Sequence, residues 1–193
     1  MEFSLYLKGY LKKFTPSEGN IVIDAGAFRG SFSIYAAKIV GKDGLVIAFE
    51  PDEDISQKLM MNIKLNNIKN IILIKKGLWN KETKLRFSNL SDGTANIDTS
   101  GKTTLPVTSL DIELKKMKIS KIDFIKMDIE GAEIEAIEGC KNTLLQNNVK
   151  LAIASYHIVN GEKTCWKLEK ILSEYGYIAE TSYPEHLTTY AQK

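Results

Sequence analysis

Cysteine is scarce in this chain. Its two cysteines, Cys140 and Cys165, lie on predicted helices with neither CxxC spacing nor a histidine pair nearby, which excludes a disulfide framework and a thiolate zinc site. A reducing cytoplasm is the expected compartment. Charge of one sign is also lacking. The 26 basic and 24 acidic residues are interspersed and leave a net charge of +2, so there is no electrostatic footprint for nucleic acid and no such partner is expected. The longest apolar runs, Ile21 to Ile23 and Leu151 to Ala154 among them, are strand length and fall far short of the ~20 residues of a membrane span. The dinucleotide fingerprint G-x-G-x-x-G is missing as well. Counted from Gly26, its second and third glycine positions hold Phe28 and Ser31, which disfavours a nucleotide-dependent oxidoreductase.

What is present is alternation. From residue 20 onward, short β-branched runs alternate with segments of helical period, the pattern of a mostly parallel α/β sheet with helices on both faces. Strands are predicted at Asn20–Ala25, Leu45–Glu50, Ile71–Lys75, Ile122–Asp128 and Lys150–Ser155. Helices are predicted at about Gly30–Ile39, from the Asp52 N-cap to Asn66, at about Ala132–Leu145, and at Lys163–Tyr175 with Gly176 as the stop. Two closing strands, Tyr177–Thr181 and Leu187–Ala191, flank a turn with Pro184 and Glu185 and must run antiparallel. Thr83–Phe87 and Thr103–Val107 read as extra strands around a polar segment, Asn89–Lys102, suited to a mobile loop over a site. No repeat or linker interrupts the 193 residues, so residues 1–193 read as one domain, large enough to bury roughly two-thirds of its unfolded surface. Residues 1–19 read as an N-terminal helix with Phe3, Leu7, Tyr10 and Phe14 on one stripe and Lys8, Lys12 and Lys13 beside it. The stripe packs on the domain, or the basic helix lies on a membrane surface.

In an open parallel sheet, ligands bind beyond the carboxyl ends of the strands where the strand order reverses. After the first strand stands Asp24-Ala-Gly26-Ala27-Phe28-Arg29-Gly30, where Gly26 permits a tight turn and Gly30 opens a helix. An acidic residue with small neighbours there suits a ligand with a cationic amino-acid moiety and no phosphate, as S-adenosylmethionine (SAM) is. Glu50 ends the second strand, placed to accept hydrogen bonds from both hydroxyls of a ribose. After the fourth strand come Asp128, Glu130 and Glu133. Glu133 falls in the first turn of a helix, where the macrodipole favours acids, and is read as structural. Oxygen ligands suit magnesium, but no further ligand is spaced to complete a site with these three, so no metal is expected. Lys126, in so apolar a strand, needs an acidic partner, either as a buried pair or as part of the pocket. His157 follows the fifth strand and brings an imidazole to the ligand edge, as a base for a hydroxyl or bonded to a nearby carbonyl. His186 falls in the closing turn and is read as structural or surface.

These residues together resemble the FkbM-type family of SAM-dependent methyltransferases over nearly all of residues 20 to 191. The likeness rests on Val22-Ile-Asp24-Ala-Gly26-Ala, Gly44-Leu-Val-Ile-Ala-Phe-Glu50-Pro51, Gly77-Leu78-Trp79 and above all Ile125-Lys126-Met-Asp128-Ile-Glu130-Gly131-Ala-Glu133. Ser155-Tyr156-His157 and Leu187-Thr-Thr-Tyr190-Ala191 close it. The resemblance implies a Rossmann-like seven-stranded methyltransferase sheet with a final antiparallel hairpin. It implies that Asp24, Gly26, Ala27, Phe28 and Gly30 surround the methionine end of SAM, that Glu50 holds the ribose, that Gly77 and Leu78 border the adenine, and that Asp128 closes the pocket toward the methyl. Phe28 departs from the family, where asparagine is common. The reaction expected is O-methylation of a hydroxyl on a small molecule or sugar, with His157 and Glu130 handling the proton. A catalytically silent domain that kept the fold is the alternative.

Overall fold

The computed structural model describes residues 2–88, 96–97 and 100–193. Its elements begin with α1 (Glu2–Leu11), β1 (Ile21–Ala25), α2 (Ser31–Val40), β2 (Leu45–Phe49), α3 (Glu53–Leu65) and β3 (Ile71–Ile74). Then come β4 (Gly77–Leu78), β5 (Thr83–Ser88), β6 (Asn96–Ile97), β7 (Thr103–Thr108), α4 (Leu110–Met117) and β8 (Phe124–Met127). The chain continues through α5 (Glu133–Glu138), α6 (Lys141–Gln146), β9 (Lys150–Ala154), β10 (Ile158–Val159), β11 (Glu162–Lys163), α7 (Cys165–Glu174), β12 (Ile178–Ser182) and β13 (Thr188–Gln192).

Seven strands form the main sheet in the order β12-β13-β9-β8-β1-β2-β3, parallel except where β13 pairs with β12 and β9. The side-chain period of two sorts the strand residues between two faces. Val22, Val46, Phe124, Ala152 and Tyr190 pack with Phe32, Ala36 and Val40 of α2 and with Tyr10 of α1. Ile23, Ile47, Phe49, Ile125, Met127, Leu151 and Ile153 pack with Leu110 and Leu114 of α4, Ile134 and Ile137 of α5, and Leu168 and Leu172 of α7. Tyr10, Leu7 and Phe14 do face the sheet, as the N-terminal stripe requires. The side chain of Phe3 and most of the polar segment Asn89–Lys102 lie outside the described residues. No helix among the described residues is long and apolar enough to cross a membrane.

Two features differ from the sequence expectation. Residues 110–117 form a helix, α4, that the strand-by-strand reading passed over. Ser109 caps it by accepting from the Ile112 N–H, and its acids lead and its lysines trail, as the macrodipole favours. The helix expected over Ala132–Leu145 is two short helices that break at Gly139 and Cys140. A Cβ on Gly139 would stand 2.1 Å from the Trp79 carbonyl oxygen. Asp111 of α4 accepts hydrogen bonds from the Asn142 and Thr143 N–H groups and the Thr143 hydroxyl, and so caps α6 from another helix. The extra strands expected near residues 83–87 and 103–107 are present and lie outside the main sheet. They form a separate four-stranded sheet, β4-β7-β5-β6, whose Phe87, Leu105 and Val107 pack with Trp79 and Leu85.

Candidate active site

The chain winds outward from β1 through β2 to β3, then returns to place β8 on the other side of β1. The strand order therefore reverses between β1 and β8, and a cavity of about 630 Å³ opens beyond their carboxyl ends. Gly26, Ala27, Phe28, Glu50, Asp128 and Glu130 line the main-sheet side. Gly77, Leu78, Leu85, Phe87, Leu105 and Val107 of the small sheet form an apolar wall, and Leu7 and Tyr10 of α1 also reach it.

Two residues expected at the ligand, Asp24 and Gly30, are not among those lining the cavity. Asp24 is fully buried. Its Oδ2 accepts from the Ser33 hydroxyl at 2.5 Å and its Oδ1 pairs with Lys126 Nζ at 3.0 Å. Asp24 and Lys126 are directly opposed in the β1–β8 ladder, the register that lets a cross-strand ion pair form in a buried sheet. Lys126 also donates to the Gly26 carbonyl at 2.7 Å and lines the cavity. The two sequence alternatives for Lys126 thus both hold, while Asp24 reaches the cavity only through it. Gly30 shapes the turn into α2. Its φ is +87°, and a Cβ there would stand 2.0 Å from Leu59 Cδ1.

Gly26 is where the loop after β1 meets the end of β8. Its φ is +75°, and a Cβ would fall 1.8 Å from the Asp128 carbonyl oxygen. Gly26 and Ala27 both donate their N–H to the Phe49 carbonyl, so the loop folds over the end of β2. Phe28 takes a φ of +50°, a region asparagine tolerates far better than phenylalanine. That conformation turns the Phe28 N–H onto Glu50 Oε2 at 2.9 Å, while the Asp52 N–H reaches Oε1 at 3.0 Å. Burial is the larger influence on Glu50 and raises its pKa to about 7, although the two N–H groups pull the other way.

Across the cavity, Asp128 Oδ2 accepts from the Tyr10 hydroxyl at 2.6 Å, and Oδ1 accepts from the Tyr156 hydroxyl at 3.3 Å. Tyr10 comes from α1, and its hydroxyl also lies 3.2 Å from His186 Nε2. Burial, with Asp128 beside it, pushes the Tyr10 hydroxyl well above its ordinary pKa, so it remains a donor. The sequence reading placed Tyr10 on an apolar stripe. Its hydroxyl role left no signal there, because the partner is 118 residues away. His186 is buried beside Tyr10 and Tyr156, in line with the structural role expected of it.

His157 lies against three carboxylates. Nδ1 faces Glu133 Oε1 at 3.0 Å, and Nε2 lies 3.4 Å from Glu130 Oε2 and 3.7 Å from Asp128 Oδ1. Burial opposes its charge, but the facing Glu130, Glu133 and Asp128 override it and raise the imidazole pKa to about 10. His157 is therefore charged at neutral pH and is not among the cavity-lining residues, whereas Glu130 is. Glu133 is wholly buried and accepts from the Ile129 and Gly131 N–H groups, tying down the loop after β8. Glu130, at the crest of that loop, has a φ of +57°.

The Methyltransferase FkbM domain matches residues 24–179 of this chain. The hexuronic acid methyltransferase AglP of Haloferax volcanii is 27% identical over 154 residues, covering 78% of this chain and 62% of AglP. Among solved structures, the methyltransferase FkbM of Methylobacillus flagellatus superposes with a TM-score of 0.71 at 20% identity, over 99% of this chain and 47% of that one. The fibrillarin of Aeropyrum pernix, solved with S-adenosyl-L-methionine natively bound, superposes at 0.64 with 12% identity, over 98% of this chain and 73% of that one. This chain thus spans less than two-thirds of AglP and under half of the Methylobacillus protein. With the family's domain covering most of the chain and its loop residues gathered at one strand-order reversal, the chain belongs to the FkbM family of methyltransferases.

Proposed function

We propose that this chain transfers the methyl group of SAM to an oxygen of a saccharide or other small hydroxylated acceptor. The observation that carries the reading is Glu50. It is 7% exposed at the cavity wall, with each carboxylate oxygen held by one backbone N–H and each keeping a lone pair for a ribose hydroxyl. Gly26, Ala27 and Phe28 would receive the methionine end, and Gly77 and Leu78 the adenine. Asp128, clamped by two tyrosines, would face the methyl. The match to AglP, named for hexuronic acid, supports a sugar as the acceptor. The two free, buried cysteines fit a reducing cytoplasm as the compartment.

In the reaction the sulfur–methyl bond breaks as the acceptor oxygen bonds the methyl in line, and positioning supplies much of the acceleration. The hydroxyl proton would pass to Glu130, the member of the Glu130–His157 pair that lines the cavity. The Lys126–Asp24 pair holds the Gly26 carbonyl and with it the loop that receives the cofactor.

Isothermal titration with SAM tests the reading. Saturable one-to-one binding is expected, and Glu50→Ala should weaken it roughly 100-fold or more, the worth of two hydrogen bonds to a charged group at about 1.5–3 kcal/mol each. Folded protein that binds no SAM would overturn the assignment.

A further inference from the structure

Donors from the ends of β8 and β9 meet at one wall of the cavity. An oxygen of Asp128, an oxygen of Glu130 and a ring nitrogen of His157 lie within 4.8 Å of one another. The His157 side chain is only 10% exposed, yet neither ring nitrogen makes a hydrogen bond, and Nε2 stands 3.4 and 3.7 Å from the two carboxylates. Charge-assisted hydrogen bonds run shorter, at about 2.7–2.9 Å. Donors that each sit about 2.1 Å from a shared ion stand about 3.0 Å apart in an octahedron, so the 3.4 and 3.7 Å seen here would close by less than about 1 Å on binding.

The other side of the ring supports the same conclusion. Nδ1 faces Oε1 of the wholly buried Glu133, which two backbone N–H groups hold in place. A fixed carboxylate behind one imidazole nitrogen, with the other nitrogen aimed at open acids, is how metal-binding histidines are oriented. The local charge also calls for a cation. Asp128, Glu130 and Glu133 surround one imidazole, and Lys126 is already paired with Asp24.

We infer that Asp128, Glu130 and His157 bind one divalent cation. Two carboxylates select the magnesium and manganese class, and the imidazole favours Mn²⁺ within it. The neutral ring is the ligand, so the ion displaces the proton the imidazole otherwise holds. The ion's remaining positions would face the cavity that Asp128 and Glu130 line, where adjacent hydroxyls of an acceptor could bind it. The sequence offered acids alone for such a site. The fold adds the histidine.

Mn²⁺ alone is the probe, titrated into protein without SAM or acceptor and followed by the loss of its free-ion electron paramagnetic resonance signal. One ion per chain is expected, saturating below about 1 mM. His157→Gln and Glu130→Gln should each weaken it at least tenfold, as measured with protein whose circular dichroism matches the wild type. Asp54→Asn, at an exposed acid on α3, should leave it unchanged. Should His157→Gln not fold, Glu130→Gln decides the matter, since that side chain is the more exposed. Absence of saturable Mn²⁺ uptake by the wild-type protein, or equal uptake by a folded variant, would overturn the site. Because SAM is omitted, either result leaves the cofactor reading to stand or fall separately.

Discussion

Glu50 should make this protein less stable as the pH rises through the weakly acidic range. Its carboxyl is moved from 4.5 in the unfolded chain to about 7 in the fold, chiefly by burial. The folded protein therefore binds more protons than the unfolded chain between those two values. The stability associated with the protonated group is fully present below about 4.5 and lost progressively up to about 7. At about 1.4 kcal/mol per pKa unit, the loss attributable to this group is about 3 kcal/mol. Glu50→Gln keeps the shape and removes the titration. It sets an amide N–H₂ against one of the two N–H groups from Phe28 and Asp52, at a cost of about 1–3 kcal/mol that does not change with pH. Urea unfolding at pH 5 and pH 8 separates the two effects. The difference in unfolding free energy between wild type and variant should shift by about 2.5 kcal/mol from the lower to the higher pH, in the variant's favour. SAM, whose ribose hydroxyls donate to the ionised form, should bind the wild-type protein more tightly at pH 8 than at pH 6. If wild type and Glu50→Gln lose stability in parallel across this range, Glu50 does not carry the shift and its burial has been misjudged.

Three further outcomes follow from the packing. Gly26→Ala should cost on the order of 3 kcal/mol in chemical denaturation, combining the left-handed penalty with the approach to the Asp128 carbonyl. Asp111→Ala should cost about 1–2 kcal/mol through the lost cap on α6 while leaving SAM affinity unchanged in calorimetry, because Asp111 is not among the residues lining the cavity. Tyr10→Phe should cost about 1–3 kcal/mol, because it strips a buried charge-assisted hydrogen bond from Asp128. In calorimetry it should also weaken SAM binding, which Asp111→Ala should not.

The parallel sheet and its order of elements were legible because each rests on local repetition. Ile21–Ala25, Leu45–Phe49 and Lys150–Ala154 are apolar runs of strand length, and Asp52 caps its helix within four residues of sequence. Glu50 and Asp128 were legible at the cavity for the same reason, since a residue just past a strand must fall at its carboxyl edge. The α4 helix also had a local signal, Ser109 followed by Leu110, Leu114 and Met117, which the strand-focused reading missed.

The remaining features depend on residues distant in sequence. The break between α5 and α6 follows from the Trp79 backbone and the Asp111 carboxylate, neither of which belongs to those helices. Asp24 carries the same signal as Glu50, an acid near a strand end, yet it falls within β1, pairs with Lys126 directly opposite it on β8 and does not line the cavity. Tyr10 meets Asp128, and His157 meets Glu130 and Glu133, only because the strand order reverses at β1 and β8 and brings separate segments to one edge. Local periodicity therefore determined the elements and the strand-end acids at the cavity rim. The pairing of buried charges was left to tertiary packing, because a buried charge takes whatever partner the fold brings within reach, at any distance along the chain.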